Sequence, residues 1–349
     1  AILNISFILS LFILTPHLSS AGHALSYGVL IGGLFQFVFM YSSIRKFYKP
    51  RIRIPKLDNK LKNFFHLFFP GVIGSGVIQL NIVIGTIIAS FLPVGAISHI
   101  YYADRLNQLP LAIFGIAMGV VLLPNLSRAI KEKKIDSIKE TQNRSLEFSL
   151  LITIPSAVGL FILSYPIINI LFERGEFLSI DTFYTAKVLS IFSLGLPAYI
   201  LIKILIICFF AREDTKTPLY FSLISVILNI ILSLLLIGSM REMGIATATA
   251  ISAWLNALLL FFALKAKNYF EFDNQLIKNS LKILASVAMM GLVCFYLSKK
   301  LFIKILEIGN LEKALMLILI IIFCKIIYLV MIFMLKVLTI RDLKGYIKK

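Results

Sequence analysis

Between Ile97 and Arg128, in a stretch apolar and long enough to cross a bilayer, stand Asp104, Arg105, Asn107 and Gln108, with Pro110 just behind them. A charged side chain at the centre of a bilayer costs several kcal/mol on insertion scales, so it is normally paired or faces water. Helical spacing puts Tyr101, Arg105, Gln108, Ala112, Gly115 and Gly119 on one face, polar at first and then small. Leu106, Leu109, Ile113, Ile116 and Val120 lie opposite. Pro110 has no N–H for the Leu106 carbonyl and is expected to kink or break the helix there. Two readings follow. The helix lines a wet cavity and offers it one cation. Alternatively, Asp104 and Arg105 anchor a helix end at the interface, Arg105 snorkelling over about 12 Å. Asn107, Gln108 and Pro110 carry the polar zone inward and favour the cavity.

The elements that must position these groups are membrane helices. Of 349 residues, 59% are hydrophobic and 15% charged, with a mean hydropathy of +0.93. Ordinary soluble domains carry about 25% charged residues. The fold class is therefore all-α, a polytopic membrane bundle of about ten spans. Cys208, Cys294 and Cys324 sit in apolar runs and fit no zinc spacing or disulfide framework.

A net charge of +18 invites a nucleic-acid reading, which position rules against. Of the 35 Lys and Arg residues, 25 fall in alternate inter-helix segments and 7 in the others. Arg105, Lys203 and Lys325 lie inside spans. By the positive-inside rule the basic segments face the cytoplasm, and so does the tail RDLKGYIKK. The first segment, AILNISFILSLFILTP, has no charged n-region and no small-residue cleavage site, so it reads as a membrane span and not a leader. The chain is expected to be the C-terminal part of a longer protein.

The ten expected spans run 1–16, 24–44, 64–92, 97–128, 145–172, 183–211, 219–237, 245–264, 281–297 and 311–335. Gly28, Gly32 and Gly33 in the second would let helices approach closely. The basic stretch 45–63, with Pro50 and Pro55, either rests on an anionic leaflet or is a plain cytoplasmic loop. No GxxxxGK[ST] phosphate loop and no catalytic constellation stand out, so an enzyme is not expected. His17, His23, His66 and His99 lie near helix ends and read as interfacial side chains. Proline-broken spans with polar groups inside them point to transport.

YYADRLNQLPLAIFGIAMGVVLLPNLSR, from Tyr101 to Arg128, resembles the MurJ/MviN lipid II flippases. So do FFPGVIGSGVIQLN at 68–81, LFERGEF at 171–177, FFAREDTKTP at 209–218 and GIATATAISAWLNALLL at 244–260, in the family's order. The resemblance implies a two-lobe exporter of the multidrug/oligosaccharidyl-lipid/polysaccharide superfamily, of which these spans are the fifth to fourteenth. It divides the chain into 1–44 (end of the N-lobe), 45–63 (basic linker), 64–264 (six-helix C-lobe) and 265–349 (two additional helices and a tail). It implies that Arg105 contacts the pyrophosphate of lipid II, with Asp104 beside it and Ser98, Tyr101 and Gln108 on the same cavity wall. Arg suits that role, being permanently charged and offering a planar fork to phosphate oxygens.

Some members of the family that the chain resembles bind sodium with carboxylates. Here the matching spans offer Gln79, Asn81, Asn229, Thr247 and Thr249 and no acid, so Asn81, Asn229 and Thr249 are only a candidate cation site. The resemblance further implies no cofactor, with the membrane potential or an ion gradient as the drive. The partners it implies are lipid II, membrane lipids and the cell-wall synthesis machinery in a bacterial inner membrane. The alternatives are an O-antigen-type flippase or drug/cation antiporter of the same superfamily, and a non-transporting scaffold.

Overall fold

The computed structural model describes residues 2–45, 47, 58–304 and 309–338. Most of the basic stretch 45–63 and the tail RDLKGYIKK lie outside the described residues. The described residues hold ten α-helices: α1 (Ile2–Leu14), α2 (Ala21–Arg45), α3 (Asn59–Ser90), α4 (Ala96–Lys131), α5 (Ile135–Phe172), α6 (Ser179–Phe210), α7 (Lys216–Met240), α8 (Glu242–Ala266), α9 (Asn274–Lys304) and α10 (Asn310–Met334). A 3-10 turn, Thr15–His17, closes α1. Among the described side chains, seven of these helices are long and apolar enough to cross a membrane.

The chain divides into two compact units, Ala1–Phe64 and Phe65–Lys349. In the first, α1 and α2 form a hairpin. A Cβ on Gly28 would come within 3.0 Å of Ser10 Cβ, and one on Gly32 within 2.9 Å of Leu3 Cδ1. These two glycines are the contact, as their spacing suggests. Gly33, expected to share it, has nothing within 4 Å of where its Cβ would lie.

In the second unit α6 is the central helix, packed against α4, α5 and α8. Ile200, Ile204, Leu205 and Phe209 join Leu122 and Leu126 of α4 and Leu260 and Leu264 of α8 in one core. Towards the other end of α6, Leu189 and Phe192 meet Ala103 and Leu106 of α4. The α8 face turned to this core is built of small residues, Ala246, Ala253 and Ala257 among them, which lets backbones come close in a lipid setting. α9 packs on α5, and α10 on α9 and α5, through Ile283, Val287, Cys294, Cys324 and Tyr328.

Several helices outrun their expected bounds, α9 (Asn274–Lys304 against 281–297) among them, for one reason: a helix that leaves the bilayer stays helical while its hydropathy drops. α5 starts at Ile135, not Ser145. Its polar prefix is held by the connector before α9: Gln142 donates to the Tyr269 carbonyl at 3.1 Å and Asn143 to the Glu271 carbonyl at 2.8 Å. α3 likewise begins at Asn59, inside the stretch expected to be linker. Pro110 and Pro124 lie inside α4, which stays helical through both, so Pro110 does not break it.

Candidate functional site

α4 begins at Ala96, after Gly95 with φ +101°, a left-handed turn open to glycine, and is parallel to α6 and α8. Ser98, Tyr101, Arg105 and Gln108 recur at offsets of three, seven and ten residues, which an α-helix places on one face. All four are exposed. Ala103, Leu106 and Asn107 occupy the buried face. Asn107, expected with Gln108 and Pro110 to carry the polar zone inward, does not share this face. That residue is 2% exposed and points into the lobe, its Oδ1 without a hydrogen-bond partner among the described atoms.

Within the stripe the two neighbouring charges do not pair. Asp104 accepts a short hydrogen bond from Gln108 Nε2, four residues on. The Arg105 guanidinium lies over the Tyr101 ring, 4.6 Å from its centre, and no carboxylate is bonded to it among the described residues. A cation–π contact costs the guanidinium none of its five N–H donors, so the fork stays free for an anion. Lys203 has no ion-pair partner among the described residues either. Ser98 also lines a groove of about 720 Å³ with His99, Tyr102, Phe172, Arg174, Glu176, Phe177 and Asp181.

Asn229 Nδ2 donates to Thr249 Oγ1 at 3.1 Å, and Ser233 Oγ to Asn229 Oδ1 at 3.4 Å. The Asn229–Thr249 bond joins α7 to α8 as a helix-packing pair, while Ser233 braces Asn229 within α7. Asn81 Oδ1 has no hydrogen-bond partner among the described residues. No group of three or more His, Cys, Asp or Glu able to hold a metal occurs among the described residues.

His99 is the residue that the sequence reading misplaces. It is not interfacial but 4% exposed, its two ring nitrogens each 2.9 Å from a carboxylate: Nε2 from Asp181 Oδ1 on α6 and Nδ1 from Glu242 Oε1 on α8. The partners are 82 and 143 residues away, so no local spacing announces them. The available signal was topological: Asp181 and Glu242 each stand in the first turn of helices that begin at the same end of the bundle as α4.

A family model described as lipid II flippase MurJ matches residues 1–308. The chain belongs to the MurJ family. It is 43% identical over 277 residues to a probable lipid II flippase MurJ of Rhizobium tropici, covering 79% of this chain and 52% of that protein. The Haemophilus influenzae relative of the same description is 34% identical over 304 residues, covering 84% and 59%. This MurJ-family chain thus spans about half the length of the curated relatives it matches. A solved lipid II flippase MurJ in an inward closed conformation superposes with a TM-score of 0.73 at 30% identity, over 95% of this chain and 65% of that one. A superfamily transporter from Pyrococcus furiosus, at 14% identity and TM-score 0.51, shares the fold. The MurJ-family fold is all-helical and multi-pass, as the composition indicates.

Proposed function

We propose that the protein containing this chain moves lipid II, the undecaprenyl-pyrophosphate-linked peptidoglycan precursor, from the inner to the outer leaflet of a bacterial inner membrane by alternating access, and is not an enzyme. The observation that carries this is Arg105: a permanent cation on the exposed stripe of a buried-core helix, steadied by Tyr101 with its donors free. Arg105 takes the pyrophosphate. Ser98, Tyr101 and Gln108 line the same wall, and Asp104, held by Gln108, keeps the local charge from attracting anions indiscriminately.

In this reading residues 64–264 are the C-lobe, 1–44 the last helices of the N-lobe, and 265–349 the two additional helices with a cytoplasmic tail. An apolar groove of about 390 Å³ among Leu150, Leu201, Leu205, Trp254, Phe261 and Ile277 suits the isoprenoid tail while the headgroup crosses. Asn81, Asn229 and Thr249 remain a candidate cation site without an acid. The test is transfer of fluorescent lipid II between leaflets of proteoliposomes holding the intact encoded protein. Transfer above empty liposomes supports the reading, and none overturns it.

A further inference from the structure

His99 is clamped between two acids at the end of the bundle where α4, α6 and α8 begin. An ionised carboxylate only accepts hydrogen bonds, and a neutral imidazole has a single N–H. With both acids ionised and His99 neutral, one of the two 2.9 Å contacts would set a nitrogen lone pair against an anion. Both contacts are favourable only when the cluster holds one further proton, on the ring or on a carboxyl group.

The charges around it agree. Arg241 Nε lies 3.4 Å from Glu242 Oε2, and Glu242 is fully buried. With the extra proton, imidazolium and Arg241 balance Asp181 and Glu242; without it a buried site carries a net negative charge, which is costly. Other titratable or charged groups around it are Tyr184, stacked on His99 at 5.8 Å, Arg174 and Glu176 in the shared groove, and Glu173, which accepts from Thr182. α3 and α7 contribute apolar side chains nearby, Ile88 and Ile237.

Two further features mark the cluster as more than packing. Arg241 has φ +52°, a strained conformation for a non-glycine residue, and is held by donating to Tyr184 Oη at 2.9 Å and lying over its ring at 4.4 Å. Asp181 is 26% exposed in the groove while Glu242 is sealed, so His99 connects solvent to a buried acid.

We infer that His99, Asp181 and Glu242 form a proton-binding site that ties the first turns of α4, α6 and α8 together, and that loss of the proton to the groove releases them. The ligand is the proton itself, and Ser98 of the Arg105 stripe borders the groove into which Asp181 opens.

Hydrogen–deuterium exchange on the intact protein, followed from about pH 5 to about pH 9 and corrected for intrinsic rates, tests this. Protection of 96–103, 179–186 and 242–248 should fall about tenfold or more at the alkaline end. Asp181→Asn is the decisive variant. Its amide can donate to a neutral imidazole while its oxygen still accepts from the Leu178 N–H, as Asp181 Oδ2 does at 2.8 Å. Protection should then be high and flat across the range. His99→Gln should also be flat, at a lower level. Wild-type protection that does not change with pH, or an Asp181→Asn variant as pH-dependent as wild type, overturns the site. Because exchange is read without transport, the outcome stands apart from the lipid II assignment.

Discussion

The Arg105 guanidinium rests 4.6 Å from the centre of the Tyr101 ring, while Asp104, its neighbour in sequence, is bonded to Gln108. Adjacent helical residues point about 100° apart, so opposite charges side by side in sequence need not neutralise each other. Here the separation leaves a cation on the exposed stripe with no carboxylate bonded to it among the described residues.

Tyr101→Leu removes the ring and should weaken the apparent affinity for lipid II about 2- to 5-fold, the equivalent of about 0.5–1 kcal/mol for an exposed cation–π contact. Tyr101→Phe keeps the face of the ring and should behave as wild type. Titration of transport rate against substrate in proteoliposomes separates the two. Equal effects of both substitutions would assign the loss to the hydroxyl instead.

Orientation follows from the alternation of basic segments. A cysteine replacing Ser239, at the end of α7, should react with an impermeant maleimide added outside intact cells; one replacing Ser137, at the start of α5, should react only after lysis. The reverse pattern would invert the assignment.

Much of this was legible beforehand. Ten apolar runs correspond to ten helices, because a backbone without water must satisfy itself within each span. The shared face of Tyr101, Arg105 and Gln108 follows from helical periodicity, and Ser98 was added to it by the family resemblance. What stayed hidden needs the third dimension. Asn107 sits two residues from Arg105 and therefore on the other side of the helix, where it is buried. His99 meets acids from two distant helices. The start of α5 is polar, so hydropathy stops at Ser145 while hydrogen bonds to the connector before α9 carry the helix back to Ile135.

Glu147 ties α5 to α9. It is 7% exposed, accepts from Asn279 Nδ2 at 2.5 Å and from Arg144, and Arg144 reaches on to Asp273 at 2.5 Å. Glu147→Ala should destabilise the protein by about 1.5–3 kcal/mol, since hydrogen bonds to a charged group are lost and Asn279 is left unpaired. Thermal melting in detergent checks it, with faster proteolysis near residues 267–273. An unchanged melting temperature would make the network incidental.

Acid should loosen the turn between α6 and α7. Burial pushes the Asp214 carboxyl up, but Lys267 at 2.6 Å and the Thr217 amide and hydroxyl outweigh it and hold the group below the usual carboxylate range. A group whose value is depressed on folding contributes stability that is present above its unfolded value, near 3.8, and is lost as pH falls through the folded one. Wild type should therefore lose stability more steeply than Asp214→Asn on acidification below about pH 4. Parallel melting curves against pH would remove Asp214 from the account.

The central claim is that Arg105 holds the pyrophosphate. The measurement is lipid II translocation by the intact protein carrying Arg105→Ala or Arg105→Lys, with membrane insertion quantified and Lys203→Ala as the in-span cation control. Arg105→Ala should abolish transfer. Arg105→Lys should be impaired, because an ammonium offers no bidentate fork. Lys203→Ala should transfer at the wild-type rate. An Arg105→Ala protein that inserts normally and flips lipid II at the wild-type rate would contradict the claim and leave Arg105 an interfacial anchor.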